Sequence, residues 1–304
     1  RDDDERLRGL NVVVLSVAFV ADDQIHIAGV AVDGVVPVYA DAHVLQLHLK
    51  LVSAERIQVE LVKLLVSPNP DYLRVAYEAG VTAEFLPEFD VCMKTDQNTP
   101  HHCYTVGEHI LKSLLHVRAD KVLRLTMLLH DIGKPVVKIT DENGRDHFKM
   151  HGPESEQMAK VILRRLKFDN DTIHKVCRLV KWHDARPAAQ MPNVRRSVNK
   201  IGEDIFPLYL EVQRADMLAQ STYQRREKEE RLEGVKSCYE QIVEKKQCVS
   251  LKSLAVTGRD LIQAGYKPGP YLGEILDQLL EHVLEYPEDN QKETLMQLVK
   301  EYQD

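Results

Sequence analysis

No Cys-x-x-Cys pair occurs in the chain, and its five cysteines (Cys92, Cys103, Cys177, Cys238 and Cys248) are odd in number. Both facts argue against a disulfide framework and fit free thiols in a reducing compartment. No apolar stretch runs far before a charge or glycine interrupts it, so no transmembrane span fits and no membrane partner is expected. The opening Arg-Asp-Asp-Asp-Glu-Arg shows no evident signal peptide, which points to the cytoplasm, and the missing initial Met suggests a processed or truncated chain. An excess of basic charge is absent too: 40 Lys plus Arg stand against 47 Asp plus Glu, a net charge of −7. That balance speaks against a protein coated in basic surface but leaves room for a local phosphate-binding stripe. There is no internal repeat and no low-complexity tract.

What is present is ordinary for a soluble globular protein, with 44% apolar and 29% charged residues, and 304 residues suffice for two domains. The first fifty residues differ from the rest. Val12–Val20, Ile25–Val32 and Val35–Tyr39 are β-branched runs separated by Ala21-Asp22-Asp23 and Asp33-Gly34, the pattern of short strands and turns. From about Ala42 the pattern is helical, so the expected fold is mainly α with a small β-containing N-terminal part. Ser53 opens an amphipathic helix that Ser67-Pro68-Asn69-Pro70 ends, and Gly80 caps the next. Thr99-Pro100 predicts a helix start, and Lys121–His130 predicts an apolar helix stopped by Gly133-Lys134-Pro135. Residues 138–149 form a polar excursion with a tight turn at Glu142-Asn143-Gly144. Helices are predicted again over 153–166, 171–182, 195–200 and 204–220, with Asp171 as an N-cap, and a last pair over 257–264 and 270–285. The charge run Arg225–Arg231 reads as a solvated helix face.

Thirteen histidines is a high count, and several sit where a buried metal site needs them. His130-Asp131 closes the apolar run Val122–Leu129, and an imidazole beside a carboxylate at a buried helix end costs desolvation unless both are engaged. A divalent cation engages both. Upstream, His102 and His109 stand at i and i+7, on one face of a single predicted helix. Downstream come His151, His183-Asp184 and Asp216, on successive helices. His109 is either a second partner behind the ligands or a helix-face histidine, and Asp184 either orients His183 or is an exposed loop carboxylate. His101, His116 and His174 read as surface residues.

The full order, with Gly133-Lys134 directly after His130-Asp131, resembles the HD superfamily of metal-dependent phosphohydrolases. The resemblance implies that His102, His130, Asp131 and Asp216 ligate a first metal. His151 and His183 would then ligate a second, bridged to the first by Asp131 and a water. One or two divalent ions per chain (Mn, Ni, Mg, Co or Fe) are implied, with Asp131 and Lys134 catalytic and Lys134 neutralising a non-bridging phosphate oxygen.

Beyond that string, Leu51-Val-Ser-Ala-Glu-Arg-Ile-Gln-Val-Glu-Leu61 resembles the helix joining head and body in class II CCA-adding tRNA nucleotidyltransferases. Ala79-Gly80 and Phe85-Leu86-Pro87-Glu88 continue the likeness. Thr257-Gly-Arg-Asp-Leu-Ile262 with Lys267-Pro-Gly-Pro-Tyr-Leu-Gly273 is similar to the helical tail that contacts tRNA in that family. The resemblance covers roughly residues 42–304 and implies RNA contacts at Arg259, Lys267 and Gly269. Its nucleotidyltransferase head needs a glycine-rich strand turn, two strand carboxylates and base-reading arginines, and residues 1–41 supply none in recognisable order. The expected organisation is therefore a partial or degenerate head remnant (1–41), neck and body (42–95), an HD domain (96–222) and a helical tail (223–304). The expected chemistry is hydrolysis of a cyclic phosphodiester or phosphomonoester at RNA 3′ ends, with tRNA or a nucleotide as partner. Nucleotide addition is expected only from an intact head. A stand-alone HD nucleotide phosphohydrolase and a non-catalytic tRNA-binding module are the alternatives, and the sequence leaves the oligomeric state open.

Overall fold

The computed structural model describes residues 17–21, 24–28 and 52–301. β1 (Val17–Ala21) pairs antiparallel with β2 (Gln24–Ala28), from Val17 opposite Ala28 to Ala21 opposite Gln24. The expected strand at Val35–Tyr39 and most of the expected head remnant lie outside the described residues. The remaining described residues are mainly α-helical. The chain divides into two compact units. One takes in the described residues up to Asp184 together with Glu211–Arg225, and the other Ala185–Leu210 and the residues from Arg226 onward.

In the first unit, α1 (Ala54–Leu65) starts where Ser53 accepts a hydrogen bond from the Arg56 amide and buries Leu61, Leu64 and Leu65. Three short helices follow, α2 (Leu73–Glu78), α3 (Thr82–Phe85) and α4 (Pro87–Met93). Gly80, at φ 72°, lets the chain leave α2 in the left-handed conformation that a side chain resists.

The expected helix start at Thr99-Pro100 does not occur. Residues 99–102 close a turn, with the His102 amide on the Thr99 carbonyl, and α5 (Val106–Leu114) begins after Thr105. The Thr105 hydroxyl accepts from the Glu108 amide, so a cap further along the chain wins because its hydroxyl meets a free helix amide. His102 is consequently on the turn and His109 on the helix, and they do not share a helix face.

α6 (Lys121–Leu129) is capped by Asp120, which accepts from the Val122 and Leu123 amides, and ends at His130. After α7 (Lys134–Val137), the polar excursion forms a hairpin of β3 (Ile139–Thr140) and β4 (Asp146–His147). α8 (His151–Arg165) and α9 (Asn170–Trp182) pack on each other, and α9 also packs on α6. Asp169, not Asp171, caps α9, because its carboxylate reaches both the amide and the hydroxyl of Thr172. Gly133 sits so close to α8 that a Cβ there would stand 2.6 Å from the Ser155 amide nitrogen.

The second unit is built from α10 (Met191–Ile201), the start of α11 (Phe206–Ala219), α12 (Arg225–Glu244), α13 (Gly258–Gln263), α14 (Tyr271–Glu285) and α15 (Lys292–Glu301). Buried Arg195 of α10 donates to the Leu284 and Glu285 carbonyls, satisfying the open end of α14. Thr257 and Asp260 cap α13 reciprocally. All five cysteines are free thiols, and among the described residues no helix is long and apolar enough to cross a membrane.

Candidate metal centre

Helix ends of the first unit carry the histidines, and local backbone aims them. His130 ends α6, His183 ends α9 and His151 begins α8. In each, ring Nδ1 faces the carbonyl three residues earlier: Met127 at 2.7 Å, Phe148 at 2.8 Å and Val180 at 2.7 Å. His109 on α5 does the same across the fold, Nδ1 lying 3.3 Å from the Ala219 carbonyl. A carbonyl only accepts, so each Nδ1 carries a proton, and in the neutral ring Nε2 is left to present a lone pair.

Those lone pairs face one another. Nε2 of His109 lies 3.1 Å from Nε2 of His130, and Nε2 of His151 lies 3.1 Å from Nε2 of His183. Two acceptors at that distance repel unless a proton or a cation lies between them. Asp131 stands in the middle, 1% exposed. Its Oδ2 is 3.4 Å from His109 Nε2 and 3.3 Å from His130 Nε2, while Oδ1 is 3.5 Å from His151 Nε2 and 3.4 Å from His183 Nε2. Asp216, from α11, adds Oδ1 at 3.0 Å from His109 Nε2 and 3.8 Å from His130 Nε2, and its other oxygen accepts from Gln220. Neither Asp131 oxygen accepts a hydrogen bond of good geometry, although the Lys134 ammonium stands 2.7 Å from Oδ2.

The described residues thus hold two groups that fit a metal ion, His109 with His130 and Asp131, and Asp131 with His151 and His183. A buried carboxylate among four imidazole rings offers nitrogen and oxygen donors of the kinds that suit a divalent cation. Burial works against the Asp131 anion, but His130 and Lys134 outweigh it and hold its carboxyl well below the usual range. Burial pushes His130 down, and burial with the neighbouring His183 pushes His151 down to about 4, whereas at His183 the hydrogen bond and charge of Asp131 outweigh burial and push the ring up. Cys92 lies nearby, and burial followed by the Asp131 charge pushes its thiol up, keeping it protonated and out of the donor set.

Of the residues singled out in the sequence, His130, Asp131, His151, His183 and Asp216 come together. His102 does not join either group. It lies on the turn, its ring 5.1 Å from that of His109 and its Nε2 3.5 Å from Lys134 Nζ. His109 takes the place beside Asp131. Asp184 is exposed, as are His116 and His174, while His101 is half-buried against the Tyr223 ring. Gln97, which accepts from Lys134 at 2.8 Å, gave no sequence signal, whereas Gln220 stands one helical turn after Asp216 and was readable from that spacing.

In the second unit Arg259, Lys267 and Gly269 are all exposed, the first on α13 and the others in the turn before α14. Residues 149–299 match the family model described as tRNA nucleotidyltransferase domain 2, and residues 42–93 match the family model described as the probable RNA and SrmB-binding site of polymerase A. A CC-adding tRNA nucleotidyltransferase of Thermus thermophilus is 29% identical over 251 residues, 79% of this chain and 55% of that protein. The chain belongs to the CCA-adding tRNA nucleotidyltransferase family. An A-adding tRNA nucleotidyltransferase of Deinococcus radiodurans is 33% identical over 168 residues, 53% of this chain and 38% of the relative. A bifunctional uridylyltransferase/uridylyl-removing enzyme of Ruegeria pomeroyi is 29% identical over 153 residues, 43% of this chain and 15% of its own. This family member therefore spans about half the length, 55%, of the Thermus enzyme and less of the other two. His102, His109, His130 and Asp131 fall between the two matched segments, while His151, His183, Asp216 and the tail residues fall inside the second.

Proposed function

We propose that the first unit is an HD-type phosphohydrolase that uses divalent cations to cleave a cyclic phosphodiester or phosphomonoester at an RNA 3′ end. The observation that carries this reading is Asp131, buried between two pairs of imidazole rings with neither oxygen accepting a hydrogen bond of good geometry. His109, His130, Asp131 Oδ2 and Asp216 Oδ1 would hold one cation, and Asp131 Oδ1, His151 and His183 the other. An imidazole-rich set of this kind favours Mn, Fe, Co or Ni over Mg, which prefers oxygen and keeps its waters. When bound, the cations supply Lewis acidity toward a phosphoryl oxygen and an activated water. The chain's own contributions are the backbone carbonyls that aim four rings, the shared carboxylate, and the Lys134 ammonium, which can neutralise a phosphate oxygen in a water-poor site.

The tRNA half of the proposal rests on the family and on the tail. Arg259 and Lys267 are exposed cations without an ion-pair partner among the described residues, free to meet phosphate. Transfer of nucleotides to tRNA, the activity in the relatives' names, would require head motifs that residues 1–41 do not supply. The uridylyl-removing relative, by its name, pairs transfer of a nucleotidyl group with its removal, which supports a hydrolytic role here.

The test is elemental analysis of chelator-free protein followed by hydrolysis of 2′,3′-cyclic nucleotides and phosphomonoesters. We expect one to two transition metals per chain, and a loss of roughly a hundredfold or more in His130→Ala and Asp131→Ala that remain folded. Wild-type rates in both variants would sink the mechanism. Cleavage of free nucleotides without tRNA binding would favour a stand-alone nucleotide phosphohydrolase. Salt-dependent tRNA binding without metal would favour a non-catalytic RNA-binding module.

A further inference from the structure

An ammonium has three N–H donors, and Lys134 Nζ, only 5% exposed with its residue, has one ion-pair partner and two neutral polar partners. Asp131 Oδ2 lies at 2.7 Å, Gln97 Oε1 at 2.8 Å and, at the long end of the range, His102 Nε2 at 3.5 Å. The Phe148 ring covers it from another side, its centroid 5.3 Å away. If Asp131 is the carboxylate that holds the cations, Oδ2 cannot also serve the lysine. The ammonium then keeps two neutral acceptors, and one N–H direction is opened for something else.

Resting on the phosphohydrolase reading, we propose that Gln97, assisted by His102, is a positioning residue that holds the Lys134 ammonium in place as a phosphate-binding cation. Gln97 is suited to this by how firmly it is fixed. It is buried, and its amide nitrogen donates to the Tyr104 carbonyl at 3.3 Å, which turns its oxygen toward Lys134. The residues on either side are tied to the β3–β4 hairpin. Lys138 donates to the Asp96 carbonyl at 2.8 Å, the Asn98 amide donates to Asp146 Oδ2 at 2.7 Å, and the Asp146 amide donates back to the Asn98 carbonyl at 3.0 Å. The polar excursion thereby anchors the segment that carries Gln97. A neutral amide suits this role because it orients the ammonium without cancelling its charge, as a carboxylate there would.

The experiment uses the manganese-loaded full chain and inorganic phosphate as the probe, with binding measured by calorimetry and metal content by elemental analysis. Gln97→Leu keeps the approximate volume and removes the acceptor. It should weaken phosphate binding about tenfold, the effect of losing one hydrogen bond to a charged group, at unchanged metal content. In a Lys134→Met background, Gln97→Leu should cause no further loss, because the amide acts through the ammonium; a merely structural residue would cost the same in both backgrounds. Should Gln97→Leu fail to fold, Gln97→Asn, which keeps the amide but withdraws it by one methylene, must show the same non-additivity with Lys134→Met. His102→Gln should produce a smaller weakening of the same kind. Wild-type phosphate affinity in the Gln97 variants, additive losses, loss of metal along with phosphate, or no phosphate binding by the unaltered protein would each overturn the proposal. Because phosphate rather than substrate is titrated, absence of hydrolysis alone bears on the phosphohydrolase reading and not on this one.

Discussion

At Asp131 a carboxylate has been withdrawn from water and surrounded by ring nitrogens that cannot donate to it while their protons face backbone carbonyls. Burial alone works against that anion, the Lys134 ammonium 2.7 Å from Oδ2 offsets part of the cost, and a cation on each oxygen would offset it further. The assignment of partners around it has a direct consequence at single residues. His109→Ala should lose about half of the bound metal, since it removes a ligand from one group and leaves the other intact. His102→Ala should retain the wild-type content, because that ring faces Lys134. Elemental analysis of the two variants prepared side by side decides it; the reverse pattern would return His102 to the ligand set. Five of the residues that come together were legible in the sequence, His130-Asp131, His151 and His183 from their places at helix boundaries and Asp216 from its order after them. His109 was left open because the choice between two histidines seven apart depends on where one helix begins.

That beginning is an element-scale matter. Thr99-Pro100 and Thr105 both offer a capping hydroxyl, and proline after the first made it the more conspicuous. What distinguishes Thr105 is Glu108 three residues on, a pairing that marks a helix start, and Glu108 is in turn held by Arg74. Asp169 against Asp171 is the same problem at two-residue scale, settled by the Thr172 hydroxyl. Long apolar segments such as α6, α9 and α14 were legible from periodicity, whereas β3–β4 was not, being two residues per strand and held by side chains. Those side chains give the hairpin a measurable pH response. Burial alone would raise the Asp146 carboxyl, but the Asn98 amide, Thr140 and Lys138 outweigh it and hold it at about 2, below the ordinary aspartate value of 3.8. A folded-state value below the unfolded one means that stability is present above about pH 4 and is lost as pH falls toward 2. Wild type should therefore exceed Asp146→Asn by about 2 kcal/mol at pH 5, and the gap should shrink steadily between about pH 4 and 2. Urea titrations of both proteins across that range check it, and a gap independent of pH would rule the carboxylate out as its source.

For the molecule as a whole, the two units divide the proposed labour, metal chemistry in the first and exposed cations in the second. With a net charge of −7, phosphate contacts have to be concentrated, and the proposal places them at exposed Arg259 and Lys267 of the tail. Filter binding of tRNA across a salt series should show a steep decline. Arg259→Ala with Lys267→Ala should flatten it by roughly two phosphate contacts, while His130→Ala leaves the slope nearly unchanged. A tail variant that binds like wild type while the histidine variant does not would move RNA recognition to the metal-bearing unit.

Three of the four rings around Asp131 take their aim from a carbonyl three positions earlier in their own chain. Direction is thus written into four-residue stretches, and only distance is left to the packing of α6, α8 and α9. A substitution far from the centre can draw those helix ends apart, yet it has no means of turning the rings. Damage to this site from elsewhere in the protein would reach it as a fault of spacing, and drift in such sequences could proceed a long way before the compass of each histidine was lost.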